Sequence, residues 1–149
     1  MVIDYFEIVP VGFVRKEKEE TWIEILEKYR DALLYLDRFS HIITLWWISE
    51  KDNKNDRSIL QAKAMIRNAT REPPISGIFA TRAPVRPNPI GLTIVKLLKI
   101  EGNKIYIDRT DAFDNTPIID IKPYIPKSDC ILNTTLPDYF KPLSEKRIE

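Results

Sequence analysis

The chain has 149 residues, 44% of them hydrophobic and 30% charged, a balance that excludes disordered and fibrous classes and suits one globular domain with a real core and one site. Its formal net charge of +1 gives little long-range attraction, so a nucleic-acid partner needs a local basic patch. Cys130 is the sole cysteine and His41 the sole histidine, which excludes an internal disulfide and a zinc site built without several carboxylates; a reducing compartment and no metal are expected.

The opening MVIDYFEIVPVGFV carries acidic residues inside its apolar stretch, reads as neither a secretory leader nor a membrane span, and sets the expectation of a cytoplasmic protein that does not enter the membrane. Phe6, Ile8, Val11 and Phe13 give a β-type run interrupted by Pro10, which predicts a bent or edge first strand. The charged KEKEE that follows reads as a solvated loop. Trp22, Ile23, Ile25 and Leu26 around Glu24 predict a short strand. Ala32, Leu33 and Leu36 stand at helical spacing and predict one amphipathic helix over 28–38, covering a barrel end. HIITLWWI reads as a central strand buried on both faces. After the polar loop SEKDNKNDRS, the run ILQAKAMI alternates like a strand at Leu60, Ala62, Ala64 and Ile66 while its propensities favour helix, and strand is the reading taken. LTIVKLLKI, EGN and KIYIDR form a hairpin signature. The prolines fix loop shapes, and the tail after Ile131 is expected to pack on the surface. Many short strands with a single clear helix predict a mainly β fold, a compact single-domain β-barrel with one or two short helices over residues 1–149, and disfavour a doubly wound parallel sheet.

Two segments can carry chemistry. GIFATRAPVRPNPIGLT, residues 77–93, is stiffened by Pro84, Pro87 and Pro89 and presents Arg82, Arg86 and Asn88, groups able to grip a carboxylate or phosphate. DAFDNTPIIDIKPYIP places Asp111, Asp114, Asn115 and Thr116 before Pro117 and an apolar strand. A sulfonium ligand needs carboxylates, carbonyls or aromatic faces near its charge, and an adenine needs an apolar slot; Asp114 to Pro117 beside Leu92 offers both. Tight-corner prolines and arginines paired with Asp111 or Asp114 would explain the same residues without a ligand. His41, set between Phe39 and an apolar strand, reads as structural, the tryptophans as core packing, and Cys130 as a buried or inert thiol.

These two segments resemble the signature of the TrmO-like (TsaA/YaeB) methyltransferase family almost letter for letter, and IVPVGFVR and FSHIITLWW extend the likeness across most of the chain. The resemblance implies a compact β-barrel, S-adenosyl-L-methionine as cofactor, tRNA as partner and a homodimer with cofactor sites near its interface. It assigns Arg82, Leu92, Asp114, Asn115, Thr116, Pro117, Ser49 and Glu50 to the cofactor. Three positions depart from the pattern: Asn115 replaces a glycine, Ser49 stands where a histidine is common, and an Arg-Gln-Pro-Gly loop after the first strand is missing, with Arg15 and Lys16 as partial substitutes. The implied reaction is methylation of N6 of threonylcarbamoyladenosine beside the anticodon, with Asp114 or Glu50 as speculative base and Arg86, Asn88, Arg67 and Arg71 as RNA contacts. A small-molecule methyltransferase using the same cofactor and a non-catalytic RNA-binding barrel remain as alternatives.

Overall fold

The computed structural model describes residues 4–69 and 71–140. Among these, eight strands occur in chain order: β1 (Gly12–Glu17), β2 (Glu20–Ile25), β3 (His41–Trp47), β4 (Gln61–Lys63), β5 (Ile75–Gly77), β6 (Ile90–Glu101), β7 (Lys104–Ile107) and β8 (Pro117–Pro123). Two one-turn helices, α1 (Lys54–Arg57) and α2 (Pro126–Asp129), accompany them. The described residues divide into two compact units, one of residues 4–50 with 90–129, the other of residues 51–89 with 130–140.

The first unit is a closed six-stranded barrel in the order β1-β2-β7-β6-β3-β8, every neighbour antiparallel. Closure leaves no strand edge unpaired, the most complete answer to the edge problem of a sheet. Alternation within the strands selects the interior: Val14, Ile23, Ile42, Val95, Ile105 and Ile118 are each no more than 1% exposed and form one cluster. Burying each such side chain contributes about 1.5–3 kcal/mol, so the β-branched residues of these short runs fix which face of each strand turns inward. Thr44 joins them because its hydroxyl donates to the Thr93 carbonyl at 2.9 Å, which removes the penalty for burying it. The expected hairpin is β6-β7, with Gly102 at φ +61° in its turn.

Three expectations are corrected in detail. The first strand starts at Gly12, beyond Pro10, and Phe6, Ile8 and Val9 lie exposed before it; Pro10 has no N–H for a ladder. The helix over 28–38 forms instead as 3-10 turns at Glu27–Leu33 and Leu36–Arg38, separated by Tyr35 at φ +68°. Tyr29, Leu33 and Leu36 pack on the barrel core, so this short connector is shaped by docking over the barrel end and not by helix propensity. Cys130 is exposed rather than buried.

In the second unit β4 pairs with β5 as a two-stranded antiparallel ribbon, so only the middle of the 59–66 run is strand. Asn53 caps α1 by accepting from the Asp56 N–H at 2.9 Å. Among the described residues of this unit, Ala64, Ile78, Thr81, Ala83 and Pro89 are buried. Part of the tail, from residue 141, lies outside the described residues.

Candidate functional site

Antiparallel pairing gathers several of the implied site residues of the barrel unit at one rim. Trp46 lies opposite Gly91 on one side and Ile118 on the other, and Trp47 lies opposite Ile90. The C-terminal end of β3 therefore meets the beginnings of β6 and β8, and Ser49 and Glu50 follow in an exposed 3-10 turn. Asp114 to Pro117 lead into β8 at that same rim. A concavity of about 260 Å³ is lined there by Ile8, Val9, Pro10, Trp47, Pro117 and Ile119, an apolar slot of the kind a flat heterocycle fills.

The turn before β8 is held by β1. Asn115 takes φ +67°, a left-handed conformation that asparagine tolerates better than most residues. Its N–H donates to the Val14 carbonyl at 2.8 Å, and the Val14 N–H donates to the Thr116 carbonyl at 2.9 Å. The Lys16 N–H donates to Asp114 Oδ1 at 2.8 Å, Arg15 Nη1 donates to Asn115 Oδ1, and Lys16 Nζ donates to the Thr110 carbonyl at 3.0 Å. Arg15 also pairs with Glu24 at 3.1 Å. Thus Arg15 and Lys16 stand directly against the second motif and fasten it. Phe113, which the sequence reading did not single out, is 66% exposed beside Asp114; a large aromatic between two aspartates in a turn was the available signal.

Leu92 stands opposite Leu45 on the outer face of the barrel and is 49% exposed, while the interior position beside it is Gly91. A Cβ on Gly91 would come within 2.3–2.6 Å of the Trp46 indole, and that indole donates from Nε1 to Thr93 Oγ1 at 3.1 Å. Trp46 is therefore core packing, as expected, whereas Trp47 lines the slot. Trp22 stacks at a tilt on Tyr106. His41 Nδ1 shares a hydrogen bond with Ser40 Oγ at 2.8 Å and its ring meets Tyr124 edge-on, a structural role.

The first motif's arginine loop, up to Pro89, belongs to the second unit. Arg82 is exposed and makes no hydrogen bond or ion pair within its unit among the described residues. Arg86 turns inward, Nη1 donating to the Ala83 carbonyl at 3.0 Å and to that of Thr81 at 3.3 Å, so part of its donor set stiffens the loop. Asn88 Oδ1 accepts from Arg57 Nη2 at 3.3 Å. Arg57, which the sequence did not single out, also donates from Nε to the Pro87 carbonyl at 2.8 Å and from Nη1 to Asp52 at 2.9 Å; one fork holds the loop apex, a pairing between residues thirty apart that no local pattern announces. Arg67 is exposed, and Arg71 lies 3.9 Å from Asp138. Among the described residues no group of three or more His, Cys, Asp or Glu is placed to hold a metal ion, and no helix is long and apolar enough to cross a membrane.

Residues 7–130 match the family described as the tRNA-methyltransferase O N-terminal domain. The chain belongs to this family. Among its relatives, a probable S-adenosyl-L-methionine-binding protein of Pyrococcus horikoshii is 43% identical over 130 residues, covering 87% of this chain and 90% of the relative. A second, from Methanocaldococcus jannaschii, is 40% identical over 127 residues, 84% of this chain and 97% of the relative. The Homo sapiens protein named tRNA (adenine(37)-N6)-methyltransferase is 41% identical over 106 residues, which is 71% of this chain but 23% of that protein. The crystal structure of TrmO from Pseudomonas aeruginosa matches with a TM-score of 0.70 at 24% identity, covering 95% of this chain and 64% of that one, and so shares the TrmO fold.

Proposed function

We propose that this chain binds S-adenosyl-L-methionine and methylates N6 of adenosine 37 in tRNA, with threonylcarbamoyladenosine as the nucleoside. The observation that carries this reading is the rim of the barrel, where the 114–117 turn leads into β8 and Ser49 and Glu50 follow the paired end of β3, with an apolar slot lined by Trp47, Pro117 and Ile119, in a member of the TrmO family. The residues present suit the cofactor. Trp47, Pro117 and Ile119 give its adenine a dry slot, and Asp114, Glu50 and the exposed Phe113 ring give a sulfonium charge carboxylate and aromatic partners.

When bound, the cofactor supplies a methyl group already activated for displacement. What the protein adds is alignment, exclusion of water by the apolar slot, and a place for the N6 proton. The threonylcarbamoyl carbonyl acidifies that N–H, so a carboxylate suffices as acceptor. Asp114 Oδ1 already accepts from Lys16, which leaves Glu50, exposed in its turn, as the less committed base. Arg82 is assigned to the cofactor by its place in the family motif, and Arg67, Arg71, Arg86 and Asn88 to tRNA, where Arg67 has its whole guanidinium to offer phosphate. The unit of action is a single TrmO-like domain, paired as a homodimer, working in the cytoplasm. Internal bonding of Arg86 and Asn88 favours one second reading, a methyltransferase of a smaller substrate.

Calorimetry of S-adenosyl-L-methionine with wild type and Arg82→Ala tests the cofactor. Wild-type affinity in the micromolar range, about −8 kcal/mol, is expected to weaken by about tenfold or more, roughly 1.4 kcal/mol, in the variant. No binding at millimolar cofactor would leave an RNA-binding barrel without catalysis.

A further inference from the structure

A second cavity, of about 320 Å³, lies between the 3-10 segment after β2 and the C-terminal part of β8. That volume stands at the low end of small-molecule sites, roughly 300–1,000 Å³, room for one ring system. Its wall is apolar and aromatic, with Leu33, Phe39, Ile121 and Pro123 among the lining residues, and Asp120 is the one charged side chain in it. Asp120 Oδ1 accepts from the Ile121 N–H at 2.9 Å and Oδ2 lies 3.1 Å from Lys122 Nζ. Each carboxylate oxygen still has acceptor capacity, and an ionised carboxylate has no donor to offer.

Two tyrosines line the same cavity and both carry cations. The Arg38 guanidinium stacks 4.1 Å from the centroid of Tyr35, which is 57% exposed, and Lys28 Nζ stands 5.0 Å from the centroid of Tyr29. Aromatic walls, an acceptor within and cations on the tyrosine faces complement a single nucleotide: a flat base with an N–H edge, followed by a phosphate. A purely aliphatic ligand would leave the remaining acceptor capacity of Asp120 unused, and a cationic one would meet Arg38 and Lys28.

We infer that this cavity receives one unstacked nucleobase of the RNA substrate, its N–H edge toward Asp120 and its phosphate by Arg38 and Lys28. The inference rests on the tRNA reading above and deepens it. Pro10 and Ile119 line the slot while their chain neighbours Val11 and Asp120 line this cavity, so the two openings adjoin and the base held here is a neighbour of the one methylated. The cavity then works as a ruler that sets the register of the anticodon loop.

Ala32 lines the cavity and is otherwise exposed, so Ala32→Trp fills the space without touching the core. Fluorescence anisotropy with a labelled tRNA carrying threonylcarbamoyladenosine compares wild type, Ala32→Trp and Arg38→Ala, with cofactor calorimetry on each. The expected result is tRNA affinity weakened about tenfold in Ala32→Trp and about threefold in Arg38→Ala, with cofactor affinity within about twofold of wild type. Wild-type tRNA affinity in Ala32→Trp overturns the cavity inference and leaves the methyltransferase reading intact. Parallel loss of tRNA and cofactor binding in Ala32→Trp, with Arg38→Ala unchanged, also overturns it. Wild type that binds cofactor and no tRNA overturns both the inference and the tRNA substrate.

Discussion

Asn115 shows how one side chain can answer both a backbone need and a contact. Its φ of +67° is the conformation for which the family pattern uses glycine, while its Oδ1 accepts from Arg15. Asn115→Ala is expected to lose about 1–2 kcal/mol from left-handed strain and about 1 kcal/mol more from the missing acceptor. Asn115→Gly loses the acceptor but relieves the backbone, and is expected to stay within about 1 kcal/mol of wild type. Chemical denaturation of the three proteins measures this, and equal loss in both variants would contradict the strain argument. The motif residues were readable one at a time because guanidinium, carboxylate and proline chemistry is local. What they bond to was not: Arg86 spends donors on its own loop, and Arg15 reaches a turn a hundred residues away in the chain.

Among the elements, the strands were readable but their facing was not. HIITLWWI is nearly all apolar and reads as buried on both faces, yet only Ile42 and Thr44 in it are fully buried, and Leu92 and Ile94, paired with Leu45 and Ile43 on the outer side, are 49% and 48% exposed. The connector over 27–38 was not readable either, since its helical spacing describes which residues touch the barrel and not how the backbone gets them there; Tyr35 in the left-handed region replaces a helical turn. Packing between β3 and β6 depends on Gly91 in a way the sequence only hinted at through the motif. Gly91→Ala places a methyl group within 2.6 Å of the Trp46 ring, and since Trp46 is tied to Thr93, the variant is expected to be destabilised by about 1–3 kcal/mol. Thermal unfolding checks it; an unchanged Tm would mean the indole rotates away freely.

At the scale of the whole molecule, the barrel's outer face sets out Ile90, Leu92 and Ile94 opposite Trp47, Leu45 and Ile43, with the three β6 residues 40–49% exposed. A continuous apolar sheet face of this kind favours a second copy over water, and it includes Leu92, which the family motif relates to the cofactor. Sedimentation is expected to show a wild-type dimer and an Ile94→Glu monomer, because burying an unpaired carboxylate at the face costs several kcal/mol. A monomeric wild type would contradict this assembly.

Methyl transfer itself is the decisive measurement. Purified protein is incubated with methyl-labelled S-adenosyl-L-methionine and tRNA that either carries or lacks threonylcarbamoyladenosine at position 37, and the digested nucleosides are analysed. Label is expected in N6-methyl-threonylcarbamoyladenosine from the modified tRNA and none from the unmodified one. Label in neither tRNA, with cofactor binding intact, would contradict the proposed function.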